Sequence, residues 1–168
     1  MSGQVEKLLL GALAGFAATL PMTMAMRRLH QRLPSAEQYP LPPREIAEDL
    51  PSLGMDRPAA AMLHHFLYGA AAGGAFGLAS RRRDPGSGAV FGIAVWIGSY
   101  LGWIPAARIL RFGTRHPARR NGLMLASHLV WGACLAAGLR ELELARQDGF
   151  TRSGGADGRL KDRSEEAA

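Results

Sequence analysis

At 168 residues the chain is long enough for one domain. Its 20 Lys and Arg against 14 Asp and Glu leave a net charge of +6, and its single cysteine, Cys134, excludes an intrachain disulfide. The basic excess would suit a nucleic-acid partner, but the charges sit in short runs beside apolar stretches, which is how membrane topology signals read, so no nucleic acid is expected.

Read only for Asp, Glu, Lys and Arg, the chain contains four windows without a formal charge, 8–26, 58–80, 85–107 and 121–139, of 19, 23, 23 and 19 residues. At a helical rise of 1.5 Å, about 20 residues cross the roughly 30 Å hydrocarbon core of a bilayer. A soluble helix of that length carries charge on its wet face. The windows therefore predict an all-α fold of four transmembrane helices occupying residues 1–144, with the lipid bilayer as the first partner.

In chain order, the first window ends in Ala25-Met26-Arg27-Arg28, which reads as a stop-transfer flank, and the window is longer than the apolar part of a signal peptide. It is expected to be retained as a helix. Loop one, 27–57, holds five prolines, and its stretch 43–50 reads as two helical turns on the surface. Loop two, Arg81-Arg-Arg-Asp84, is a tight connection, and loop three, 108–120, carries five Arg and His116. Pro21 and Pro105 are expected to kink the first and third helices. Residues 145–168 read as a polar, disordered tail. Loops one and three carry ten Lys and Arg, and the opposite side also carries ten, so the positive-inside rule assigns no orientation.

Glycine and alanine pack the windows. Small residues four apart occur at Gly11/Gly15, Gly69/Gly73/Gly77, Gly88/Gly92 and Gly98/Gly102. Such stripes bury little area in a soluble core, but in lipid they let helices approach closely. The same stripes suit a second copy of the chain or another membrane protein. Two motifs also recur in order. Gly11-Ala-Leu-Ala-Gly-Phe-Ala17 and Gly88-Ala-Val-Phe-Gly-Ile-Ala94 share G-A-x-x-G-x-A, and His65-Phe-Leu-Tyr-Gly-Ala70 and His128-Leu-Val-Trp-Gly-Ala133 share H-x-[LV]-[YW]-G-A. The pattern predicts a duplicated helical hairpin about an axis along the membrane normal.

The order Leu41-Pro-Pro-Arg44, His64-His65 opening a helix, Thr114-Arg-His-Pro117 and His128-Leu-Val-Trp-Gly132 resembles the YagU-like bacterial inner-membrane proteins over roughly residues 8–140. The resemblance implies an inner-membrane location and a helical bundle. It implies no reaction and carries over no catalytic residue. The chain departs from that family in its shorter lead-in and its polar tail.

If loops one and three mark one side of the membrane (side B), and the termini and loop two the other (side A), four polar residues share a depth. His65 and His128 each lie seven residues inside their windows, and Thr19 and Tyr100 lie seven before the ends of theirs, roughly 10 Å from side B. His65 begins the stripe Gly69, Gly73, Gly77, and His128 begins the stripe Gly132, Ala136, so both rings are expected to face the interior. The plain reading is that each His hydrogen-bonds across helices to Thr19, Tyr100 or a backbone carbonyl. The alternatives are a proton or small-solute pathway lined by these groups, and haem or metal binding by the paired imidazoles. Arg108, at the side-B rim, is a candidate contact for an anion or lipid headgroup, against the simpler reading that it snorkels. His64 is expected at the interface.

No P-loop, G-x-S-x-G, H-E-x-x-H or cysteine pair is present, so no catalytic residue, metal site or cofactor is assigned. The expected function is a structural or accessory inner-membrane component. A small transporter or proton conductor stands as the alternative, and a haem- or metal-binding protein as the second.

Overall fold

A computed structural model of the chain describes residues 3–39, 54–103 and 117–165, and the side chains of these except Trp103 and residues 149–165. It is all-helical, with four main helices: α1 Gly3–His30, α2 Arg57–Ala79, α3 Pro85–Ile97 and α4 Ala118–Glu165. Helix α1 and the 118–148 part of α4 are long and apolar enough to cross a membrane.

Each charge-free window lies within or largely overlaps a helix, and the starts of two helices are set by acids just outside. Asp56 caps α2 by accepting the Ala59 N–H at 2.8 Å, and Asp84 caps α3 by accepting the Ser87 N–H at 2.9 Å. A proline follows each cap in the first turn, where its missing N–H costs nothing. Helix α1 runs beyond its window to His30, because Arg27 and Arg28 are good helix formers. Pro21 lies inside it. Pro105, the stretch 43–50 and His116 lie outside the described residues.

Two expectations need correction. The window 85–107 is not one regular helix: α3 stops at Ile97 and continues as a π-helical segment over Gly98–Trp103, with Gly102 at φ −110°, ψ −110°. Glycines at 98 and 102 carry a high backbone-entropy cost in a helix, and Gly102 is non-helical, so the segment kinks there. The stretch read as a disordered tail is helical as far as Glu165. Leu142, Leu144, Ala145 and Arg146 favour that extension, whereas nothing in the propensities of the glycines beyond residue 148 accounts for it.

Packing follows the small-residue stripes. Helix α1 lies between α2 and α4, and α3 lies against α4. Gly11 and Gly15 of α1 meet Gly69, Gly73 and Gly77 of α2 so closely that a Cβ on Gly73 would stand 2.6 Å from the Gly15 Cα. Gly88 and Gly92 of α3 meet His128, Gly132 and Ala136 of α4 in the same manner, and a Cβ on Gly88 would stand 2.6 Å from the Ala136 Cβ. Helices α2 and α3 touch through side chains, with the Phe76 and Phe91 rings 5.1 Å apart and the Tyr68 hydroxyl 2.8 Å from Ser99 Oγ.

The two pairs use equivalent faces in different registers. Gly15 lies against Gly69 and Gly73, whereas its motif counterpart Gly92 lies against His128 and Gly132, the counterparts of His65 and Gly69. The second hairpin is therefore slipped by one turn relative to the first. The core fills the space between the pairs with Ala14, Ala18, Met22, Phe76, Trp131, Leu135, Ala136 and Leu139, and a smaller cluster of Met26, Tyr100, Leu123 and Met124 lies toward side B.

Candidate functional site

The glycine register decides what surrounds His65. Gly11 opposes Gly73 and Gly15 opposes Gly69, so one further turn sets Thr19 of α1 across from His65 of α2. The Thr19 hydroxyl occupies the space that a side chain at position 69 would need. Thr19 is fully buried, but its hydroxyl donates to the Gly15 carbonyl of its own helix at 2.9 Å rather than to a histidine. Thr23 repeats the pattern, donating to the Thr19 carbonyl at 2.7 Å. Back-bonding of this kind is a threonine's local way to satisfy its hydroxyl in a helix.

His128 is buried on α4 and its Nδ1 lies 2.8 Å from the Met124 carbonyl. A carbonyl only accepts, so Nδ1 carries the proton. The backbone of His128 is itself part of the packing, because Gly92 of α3 sits against its carbonyl. The cross-helix bonds expected for the two imidazoles are absent among the described residues. His65 Nε2 is buried and has no hydrogen-bond partner.

Tyr100 departs from the expected layer. It is buried with Met26, Leu123 and Met124, nearer side B than Thr19, and it stacks on Trp96 at 5.8 Å. The π-helical segment changes the rise and rotation after Ile97, so a depth counted along a regular helix misplaces Tyr100. His64 is only partly exposed, with Nδ1 buried and unpartnered, and Trp96 Nε1 is in the same position. Arg108 lies outside the described residues. Among those residues no group of three or more His, Cys, Asp or Glu is placed to hold a metal ion.

Four polar residues carry more of the structure than the sequence indicated. Trp131, in the second histidine motif, donates its indole N–H to the Gly15 carbonyl at 3.2 Å and so joins α4 to α1. Its counterpart Tyr68 joins α2 to the π-segment through Ser99. The shared Tyr/Trp position was a visible signal for both. Arg120 sits in the first turn of α4, only 3% exposed, and is not a loop cation. It donates to the carbonyls of Glu37 and Tyr39 at 3.2 and 2.8 Å, with its guanidinium 3.5 Å from the Tyr39 ring centre. At side A, Arg83 pairs with both oxygens of Glu143 at 3.0 and 3.2 Å and also donates to the carbonyls of Gly77 and Ser80 at the end of α2.

No protein-family model matches the chain, and no curated protein or solved structure is significantly similar to it.

Proposed function

We propose that the chain is an integral inner-membrane protein that crosses the bilayer four times and serves as a structural or accessory membrane component. One observation carries this reading: large apolar side chains lie outside while glycines lie inside. Leu9, Leu13, Phe16, Leu20 and Met24 run along α1 and are 43–55% exposed, whereas Gly11 and Gly15 on the same helix are buried. Val90, Ile97 and Leu101 are exposed along α3, where Gly88 and Gly92 are buried. Water would penalise that outer surface, and lipid favours both halves of the arrangement. The filled centre supports a scaffold, since large side chains rather than a lined channel separate the helix pairs.

The recurring motifs and shared packing faces support a duplicated hairpin in which one copy has slipped by a turn. The motif order supports kinship with the YagU-like inner-membrane proteins. The test is fractionation. The protein should pellet with membranes and resist alkaline carbonate extraction, and recovery as a soluble monomer without detergent would remove the reading.

A second reading has its own observation. The buried, unpartnered nitrogens of His64 and His65 are expensive in a dry interior unless something uses them. A small transporter or proton-conducting protein would use them. Proton flux into vesicles that depends on His65 would favour this reading over the scaffold.

A further inference from the structure

At the side-A end of the bundle a cavity of about 640 Å³ is walled by Lys7 of α1, by Leu78, Ser80, Arg81 and Arg83 around the end of α2, and by Glu143 of α4. The charges on this wall do not cancel. Arg83 is bonded at three points, to Glu143, to the Gly77 carbonyl and to the Ser80 carbonyl, so it neutralises both the acid on the wall and the negative end of α2. Glu6, next to Lys7 in the chain, is paired with Arg146. Lys7 and Arg81 remain, exposed and without an acidic partner among the described residues. Beside them the wall turns apolar at Leu78, which is 48% exposed.

We propose that this cavity binds a phosphate group, with Lys7 and Arg81 as the cations that hold it and the Arg83–Glu143 pair as the rigid floor. Two exposed cations beside the exposed Leu78 match an anionic phospholipid, whose phosphate meets the cations while a chain lies on the leucine. Inorganic phosphate offers the same charge from the aqueous side. The lipid source rests on the membrane-spanning reading; the phosphate chemistry does not.

The test uses the full-length chain in neutral detergent and follows its thermal unfolding with added phosphatidylglycerol, phosphatidylcholine or inorganic phosphate. Phosphatidylglycerol should raise the unfolding temperature more than phosphatidylcholine. The exchanges Lys7→Gln and Arg81→Gln should each weaken that binding about fivefold, in line with the strength of one surface cation on an anionic headgroup. Arg82→Gln, on the same loop but off the cavity wall, should leave it unchanged. Lys7 and Arg81 are exposed, so their variants should unfold at the wild-type temperature before lipid is added, which separates lost binding from lost folding. A response to inorganic phosphate that shows the same dependence on Lys7 and Arg81 also supports the site and assigns it to the free ion. Equal responses of the wild type and the Lys7/Arg81 double variant to phosphatidylglycerol and to phosphate overturn it. If instead the chain proves soluble, the spanning reading fails while the inorganic phosphate arm still decides the site.

Discussion

Trp131 and Gly15 meet through the indole N–H of one and the main-chain carbonyl of the other, at 3.2 Å. The same carbonyl receives the Thr19 hydroxyl, and Gly15 also lies against Gly69 and Gly73 of α2. One residue without a side chain thus joins three helices, and it does so because its carbonyl is reachable from outside its own helix. Trp131→Phe should remove the hydrogen bond while keeping the ring beside Phe91. The expected cost is small, about 0.6–1 kcal/mol, in the range of measured hydrogen bonds between membrane helices. Thermal unfolding in detergent measures it, and an unchanged midpoint would show that the bond contributes nothing.

The glycines divide into those that need their missing side chain and those that do not. A Cβ on Gly73 would strike the backbones of Gly11 and Gly15, which cannot give way without separating the helices. Gly73→Ala should therefore push α1 and α2 apart, and a spin-label or cross-linking distance between the two helices should lengthen. Gly122, in α4, has nothing within 4 Å of its would-be Cβ. Gly122→Ala should stabilise the helix by up to about 1 kcal/mol through propensity alone. A destabilised Gly122→Ala variant together with a tolerated Gly73→Ala variant would refute the packing described here.

Much of this was legible in the residue order. Runs free of charge located all four helices, and glycines at i and i+4 marked the faces on which they pack. Thr19 and His65 were placed at one depth from window counting alone. Tyr100 was misplaced, since nothing in Gly98-Ser-Tyr-Leu-Gly102 announces a π-helical segment that kinks at Gly102 rather than a regular helix. The Arg83–Glu143 and Arg120–Tyr39 contacts escaped for a different reason. Their partners are 60 and 81 residues apart, and local periodicity carries no information about long-range pairs. The caps at Asp56 and Asp84 share a local pattern, an acid followed within two residues by proline before an apolar run.

The Asp84 cap has a pH consequence. Its carboxyl is held below the usual carboxylate range, chiefly because the Ser87 backbone N–H donates to the charged form. A group lowered on folding contributes stability above its unfolded value, about 3.9, and that contribution is lost as pH falls through the lower folded value. Helix content measured by circular dichroism in detergent should therefore decline with acid below about pH 4. Asp84→Asn should keep most of the cap and lessen that decline. Identical acid profiles for the variant and the wild type would show that another group controls it.

Arg120 should behave as an anchor for the segment that leaves α1. Arg120→Met keeps most of the aliphatic volume but removes the donors to Glu37 and Tyr39. Hydrogen bonds to a charged donor contribute about 1.5–3 kcal/mol each. The amides of residues 35–39 should exchange faster with deuterium, while those in the middle of α2 keep their rate. Arg120→Lys should recover only part of the protection, because a point charge lacks the planar stacking on Tyr39. Full protection in Arg120→Met would mean that the segment is held elsewhere.

The two histidines should respond in opposite directions to the same substitution. His128 donates to the Met124 carbonyl within a packed interface, so His128→Leu removes a satisfied group and should lower the unfolding temperature. His65 has a buried Nε2 with no partner, and an unsatisfied buried nitrogen costs about 1–3 kcal/mol. His65→Leu removes that cost and should leave stability unchanged or raise it. A scaffold has no reason to retain such a residue, whereas a pathway for protons or a small polar solute does. The informative result is therefore the pair of measurements on His65→Leu, unfolding temperature in detergent and ion flux in vesicles. Raised stability with lost flux identifies His65 as a working group kept at a cost in stability. Raised stability with no flux in either protein favours the scaffold. A fall in stability larger than that of His128→Leu would show that His65 is already satisfied in the bilayer, and that its orphaned nitrogen has a structural partner.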